Sequence, residues 1–203
     1  MSEVGVKPLD DRVRYLFETH IAEKIALVDQ ISIIMAQAAQ RLVDCLLNEG
    51  KIIVCGHGGS AANALHFSTA MMNRFEVDRP PLPVITLGTD LPFLTAMVNE
   101  THSDQVFSRQ IQALGQDQDV LLLISTSGHS TPLLNAANAA HDRGLDIIAL
   151  SGRVGSLLSN YLGPKDLEIC VPIESSARIR EMHLFILHCF CDLIDQSLFG
   201  QVI

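Results

Sequence analysis

Two turns in this chain gather hydroxyl side chains and glycine at the end of an apolar run, an arrangement suited to holding a phosphate. Residues 121–130 read Leu-Leu-Leu-Ile-Ser-Thr-Ser-Gly-His-Ser. An unalternated apolar run of this length fits a strand buried on both faces of a parallel sheet. The Ala- and Asn-rich segment from Thr131 to Arg143 has helix-like spacing, so 125–130 reads as a strand-to-helix turn. Such a turn sets backbone N–H groups and the positive end of a helix at the carboxyl edge of a sheet. Ser125, Thr126, Ser127 and Ser130 add hydroxyl donors, and Gly128 lets the backbone approach a ligand closely. No lysine or arginine lies in the turn, so the expected ligand is a sugar phosphate held by neutral donors. The Gly-Lys-Ser/Thr ending of a nucleotide triphosphate loop is absent. Taken alone, the same residues also fit an ordinary Ser/Thr N-cap turn.

The second turn tips the balance. Residues 51–60 read Lys-Ile-Ile-Val-Cys-Gly-His-Gly-Gly-Ser and run into Ala61-Ala62-Asn63-Ala64, again strand, glycine-rich turn and helix start. Gly56, Gly58 and Gly59 have G-x-G-G spacing, a weak match to the G-x-G-x-x-G dinucleotide fingerprint. Gly58, Gly59 and Ser60, with Ser60 near the N-cap, join the four hydroxyl residues as the candidate phosphosugar site.

The elements that must position these turns follow an alternating pattern. Residues 10–49 carry apolar positions at helical spacing and are expected as two helices, 10–28 and 29–49. Residues 50–203 form the α/β core of a single domain spanning 1–203. Strands are predicted at 52–55, 83–87, 120–124, 146–151 and 167–171. Helices are predicted at 61–75, 91–99, 104–113, 131–143, 155–161 and 176–199. Alternation of this kind specifies a five-stranded parallel sheet, flavodoxin-like, with helices on both faces. The last helix is apolar around nearly its whole circumference, from Ile179 to Phe199, so it needs cover on more than one side. With the long N-terminal helices, that predicts a self-associating chain.

Bulk properties limit the function classes. The chain has 203 residues, 48% hydrophobic and 18% charged, enough for one well-cored domain. Its net charge of −9, without a run of Lys or Arg, argues against direct nucleic-acid binding. No apolar run reaches the ~20 residues that span a bilayer, and the first ten residues are polar, so no membrane role is expected. The five cysteines are odd in number, without a C-x-x-C pair, and read as reduced thiols of a cytoplasmic protein.

These residues together resemble the sugar isomerase (SIS) domain and, within it, the phosphoheptose isomerase family. The matching pieces are Cys55-Gly56-x-Gly58-Gly59-Ser60-Ala61, His66-Phe67, Asn73-Arg74-Phe75, Leu87-x-Thr89-Asp90, Ile124-Ser125-Thr126-Ser127-Gly128-x-Ser130, and Ala177-Arg178-Ile179 with Glu181. The similarity covers the chain after the first ten or so residues. The resemblance implies either of two activities on one tetrameric fold: isomerisation of sedoheptulose 7-phosphate, or association with the replication initiator DnaA.

In the isomerases a glutamate one turn after the His of the His-Phe pair is the base. A glutamine and a histidine on the last helix complete a metal-binding or acid site. Here His66 and His188 match, but the base position is Ala70 and the glutamine position is Arg180. Asn99-Glu100-Thr101-His102 also departs from the Asn-Asp and Tyr-Gly of the isomerases. A methyl group accepts no proton, and an arginine repels a zinc ion. The expected function is therefore a phosphosugar-binding adaptor that has lost isomerase chemistry, with no catalytic residue and no metal. Its partners would be other copies of itself in a homotetramer and DnaA, the latter contacted through Leu198 and Phe199. An active sedoheptulose 7-phosphate isomerase, with zinc as cofactor, is the alternative.

Overall fold

A computed structural model of the chain describes residues 8–153 and 156–200. Five strands form one all-parallel sheet: β1 (Ile52–Gly56), β2 (Val84–Thr86), β3 (Val120–Ile124), β4 (Asp146–Gly152) and β5 (Leu167–Val171), in the order β2-β1-β3-β4-β5. Strand order reverses between β1 and β3, where Gly56 registers with Ile124. Both hydroxyl-rich turns leave the sheet there, side by side, at the switch point where α/β folds take their ligands.

Alternation along the buried strands divides the core into two layers. Ile52, Val54, Leu122, Ile124, Ile148 and Leu150 pack under three helices: α1 (Leu9–Leu47), α2 (Gly59–Met72) and α6 (Ser176–Phe199). Ile53, Cys55, Leu121, Leu123, Ile147 and Ala149 face α4 (Ser108–Leu114) and α5 (Thr131–Asp142). A shorter helix, α3 (Leu91–Asn99), is capped by Asp90, whose carboxylate accepts from Phe93 N at 3.0 Å.

The two expected N-terminal helices are one, 39 residues long. No glycine or proline interrupts Leu9–Leu47, so nothing removes a rung of its hydrogen-bond ladder. Its buried positions begin only at Leu27, and Leu9, Val13, Phe17, Ile21, Ile25 and Val28 stay exposed on the first half. The helix expected at 104–113 divides into a 3-10 turn, Ser103–Gln105, and α4. Asn135 Nδ2 of α5 donates to the Asp104 carbonyl at 3.0 Å, within this 3-10 turn. The segment expected at 155–161 is a 3-10 turn at Leu158–Tyr161, with residue 155 outside the described residues. Leu158 N donates to the Gly128 carbonyl at 3.0 Å, drawing this segment onto the hydroxyl-rich turn.

Helix α6 lies where the sequence puts it, capped by the Ser175 hydroxyl and ended by Gly200 in a left-handed conformation (φ 65°). By length and hydropathy it matches a membrane span, although the apolar-run criterion did not select it. It is instead the central core helix, with Ile179, Ile186, Leu187, Phe190 and Ile194 wholly buried against α1, α2 and the sheet. All five cysteines are free.

Candidate functional site

The first turn leaves β1 at Gly56 and enters α2 through Gly58, whose φ of 54° requires glycine. Gly58, not Ser60, is the N-cap. Ser60 lies in the first turn of α2 and is 5% exposed. The second turn is shaped by its own hydroxyls. Ser125 Oγ accepts from Gly128 N at 2.9 Å, and Ser127 Oγ accepts from His129 N at 3.4 Å. Gly128, at φ 65°, leaves no room for a side chain, since an added Cβ would sit on the Ser156 hydroxyl. Ser130 is the N-cap of α5 but its hydroxyl makes no capping bond, leaving it free to meet a ligand. Thr126, Ser127 and Ser130 are half-buried. His57 stands against the Phe107 ring, 4.9 Å between centroids, and burial lowers its pKa.

Helix α6 closes the site from above. Ile179 packs against Gly152 at the end of β4, beside the Thr126 carbonyl. Arg180 lies across Gly59: a Cβ there would collide with Arg180 Cδ and come 2.9 Å from its Nε. One turn along, Asn63 Nδ2 donates to the Arg180 carbonyl at 2.9 Å. Further along the same seam, His66 Nε2 and His188 Nε2 share a hydrogen bond at 2.8 Å. Burial, and secondarily His66, lowers the His188 pKa below the ordinary imidazole value, while Glu76 opposes the shift. Glu181, the other carboxylate near Arg180 in sequence, is committed to Arg178 at 3.0 Å and His20 at 3.3 Å.

Three of the four isomerase positions thus lie along the α2–α6 seam as side chains that reach outward: His66, Arg180 and His188. Ala70 is 6% exposed, and its carbonyl accepts from Arg79 Nη2 at 3.0 Å. The donors do not suit the zinc site of the isomerase alternative, because Ala70 offers no ligand and Arg180 carries positive charge. Among the described residues no three His, Cys, Asp or Glu side chains group as a metal site.

Comparison with known proteins identifies the family. The SIS domain model matches residues 17–152. The phosphoheptose isomerase of Coxiella burnetii is 50% identical over 190 residues, covering 94% of this chain and 96% of that protein. The chain belongs to the phosphoheptose isomerase family of SIS domains. The structure of a phosphoheptose isomerase from Francisella tularensis superposes with a TM-score of 0.89 at 42% identity, over 93% of this chain and 99% of that one. The phosphoheptose isomerase of Neisseria gonorrhoeae gives 0.87 at 40% identity, over 93% and 100%.

These relatives overturn the adaptor reading. That reading rested on two substituted positions, whereas the identity to isomerases runs almost from end to end. The assignment to replication initiation with DnaA goes with it. Leu198 and Phe199, expected to carry that contact, are half-buried, and Leu198 packs on the core. Leu198 falls one turn after the buried Ile194, on the same inward stripe of α6.

Sequence reasoning missed one feature of the site. The two hydroxyl-rich turns contain no lysine or arginine of their own, but α6 brings Arg180 to the first of them. Nothing in the local sequence signals a contact between residues so far apart in the chain.

Proposed function

We propose that this chain is a phosphosugar isomerase, with sedoheptulose 7-phosphate as the substrate that its family resemblance implies. The observation that carries the reading is the His66–His188 pair, two imidazoles 2.8 Å apart on the seam that begins at the glycine-rich turn. The rise from Gly59 to His66 along α2 is about 10 Å, a reach comparable to that of an extended seven-carbon sugar phosphate. A phosphate held at the turns therefore brings the opposite end of the sugar to the imidazoles.

Ketose-to-aldose conversion moves one proton from C1 to C2 and another from O1 to O2. His188, kept neutral by its lowered pKa, takes the C1 proton, and the C–H electron pair forms the enediolate C1=C2 bond. His188 then delivers a proton to C2, one it can exchange with solvent meanwhile, while His66 moves the hydroxyl proton from O1 to O2. With a methyl group at Ala70, the base in this reading is an imidazole of the His66–His188 pair. Purified protein should convert sedoheptulose 7-phosphate in a coupled assay, with proton exchange at C1 in heavy water. Binding of the sugar phosphate with neither turnover nor exchange overturns the reading.

The reading includes self-association. The exposed stripe Val13, Phe17, Ile21, Ile25 and Val28 on α1 lies beside a groove of about 590 Å³ between α1 and α6. A second copy supplies matching apolar area, and the family resemblance implies a tetramer. Light scattering should give a tetrameric mass, and Ile21→Glu with Ile25→Glu should reduce it. A monomeric wild type at micromolar concentration contradicts this part.

A further inference from the structure

We propose that Arg180 is the charge-bearing, specificity-determining residue of the phosphosugar site, pairing the ligand's phosphate instead of acting on its reacting carbons. The inference rests on reading the two turns as the phosphate site. Three observations carry it. Arg180 Cδ and Nε occupy the space that a side chain on Gly59 would take, at the first residue of α2 and next in sequence to the buried Ser60. The side chain is half-buried, yet among the described residues its guanidinium has neither a hydrogen-bond acceptor nor an ion-pair partner. By contrast Arg41, Arg79, Arg143 and Arg178 all donate to protein oxygens.

The level of Arg180 along the seam decides which end of the ligand it meets. It contacts the first residue of α2, whereas the imidazole pair stands seven residues further along, at His66. A planar guanidinium gives a phosphate two parallel donors and a full charge, where the serine hydroxyls give single neutral ones. Without a cation, a dianion in this chain of net charge −9 would enter an unfavourable field. Arg180 offsets that field at one point. The pocket should therefore select phosphorylated sugars over their neutral counterparts chiefly through this residue.

The test is calorimetric binding of inorganic phosphate and of glucitol 6-phosphate, which has no carbonyl and cannot isomerise, to the full-length wild type, Arg180→Gln and Arg180→Lys. Thermal melts check that all three are folded. Arg180→Gln should weaken both ligands by about ten- to a hundredfold. Arg180→Lys should recover part of the loss, since it restores charge without the fork. Raising salt from 0.05 to 0.5 M should weaken the wild type more than Arg180→Gln, because screening acts on the ion pair.

Equal affinity of wild type and Arg180→Gln for both ligands overturns the proposal. So does a fall in turnover of Arg180→Gln with phosphate affinity unchanged, which places the guanidinium at the carbonyl end. Neither ligand can turn over, so an inactive wild type that shows this binding pattern upholds the phosphate role while the isomerase reading fails.

Discussion

Replacing His188 with Asn should lower sedoheptulose 7-phosphate turnover by about 10²–10⁴-fold, the usual contribution of a positioned general base. The loss should fall on kcat, with KM little changed, because the proposed phosphate site lies at the other end of the seam. His66→Asn should produce a fall of similar direction, since it removes the partner that shares the proton at 2.8 Å. The pH profile supplies a second reading of the same group. The His188 pKa is lowered from 6.5, first by burial and then by His66. A base works deprotonated, so activity should hold as pH falls through 6.5 and be lost only below the lowered value. Glu76 raises the His188 pKa. Glu76→Gln should therefore carry the acid limb to still lower pH. An acid limb that moves upward in Glu76→Gln, or fails to change in His188→Asn, removes His188 from the proton path.

Arg79→Met should be the most damaging single change to the fold, at about 3–5 kcal/mol. Its side chain is 1% exposed and pairs at 2.8 Å with Asp195, itself 5% exposed. The guanidinium also takes the carbonyls of Met71, at 2.6 Å, and Ala70, at 3.0 Å, in the last turn of α2. It thereby ties the C-terminal end of α2 to that of α6, as Asn63 and the histidines tie the earlier turns. Met would leave a buried carboxylate without its cation and those carbonyls without their donors. Among the described residues Asp195 Oδ2 has no hydrogen-bond partner, so they offer no second donor to fall back on. The melting temperature should drop by roughly 10 °C. Arg41→Met is the control, because its pair with Asp146 leaves 31% and 35% of the two side chains exposed. It should cost no more than about 1 kcal/mol. Equal losses in the two variants would show that burial of the Arg79 pair contributes nothing.

Much of this molecule is legible in single segments of its sequence. The strands at 120–124 and 167–171 and the helix at 176–199 lie where their apolar patterns put them, because burial on both faces and good caps are local properties. The hydroxyl turns were also readable, since glycine at φ 54° and 65° and serines that bond within the turn satisfy short-range geometry. The motifs along those turns were enough to identify the SIS domain. Elsewhere local signals misled. A helix without a breaker runs on from Leu9 to Leu47, whatever its apolar spacing suggests about two segments. Leu198 near the described end of the chain turns inward because the stripe of α6 continues through it.

What only the tertiary structure decided is the set of contacts across the α2–α6 seam. His66 meets His188 across 122 positions, Asn63 meets the Arg180 carbonyl across 117, and Arg79 meets Asp195 across 116. Read along the chain, Ala70 and Arg180 are two losses from an isomerase site. In space, Ala70 belongs to the turn of α2 that Arg79 anchors, and Arg180 lies on the glycine-rich turn. The physical reason is that a side chain's charge acts where packing puts it. The sequence sets which residues line one face of each helix, but the parallel docking of α2 and α6 on the sheet sets which levels of those faces meet.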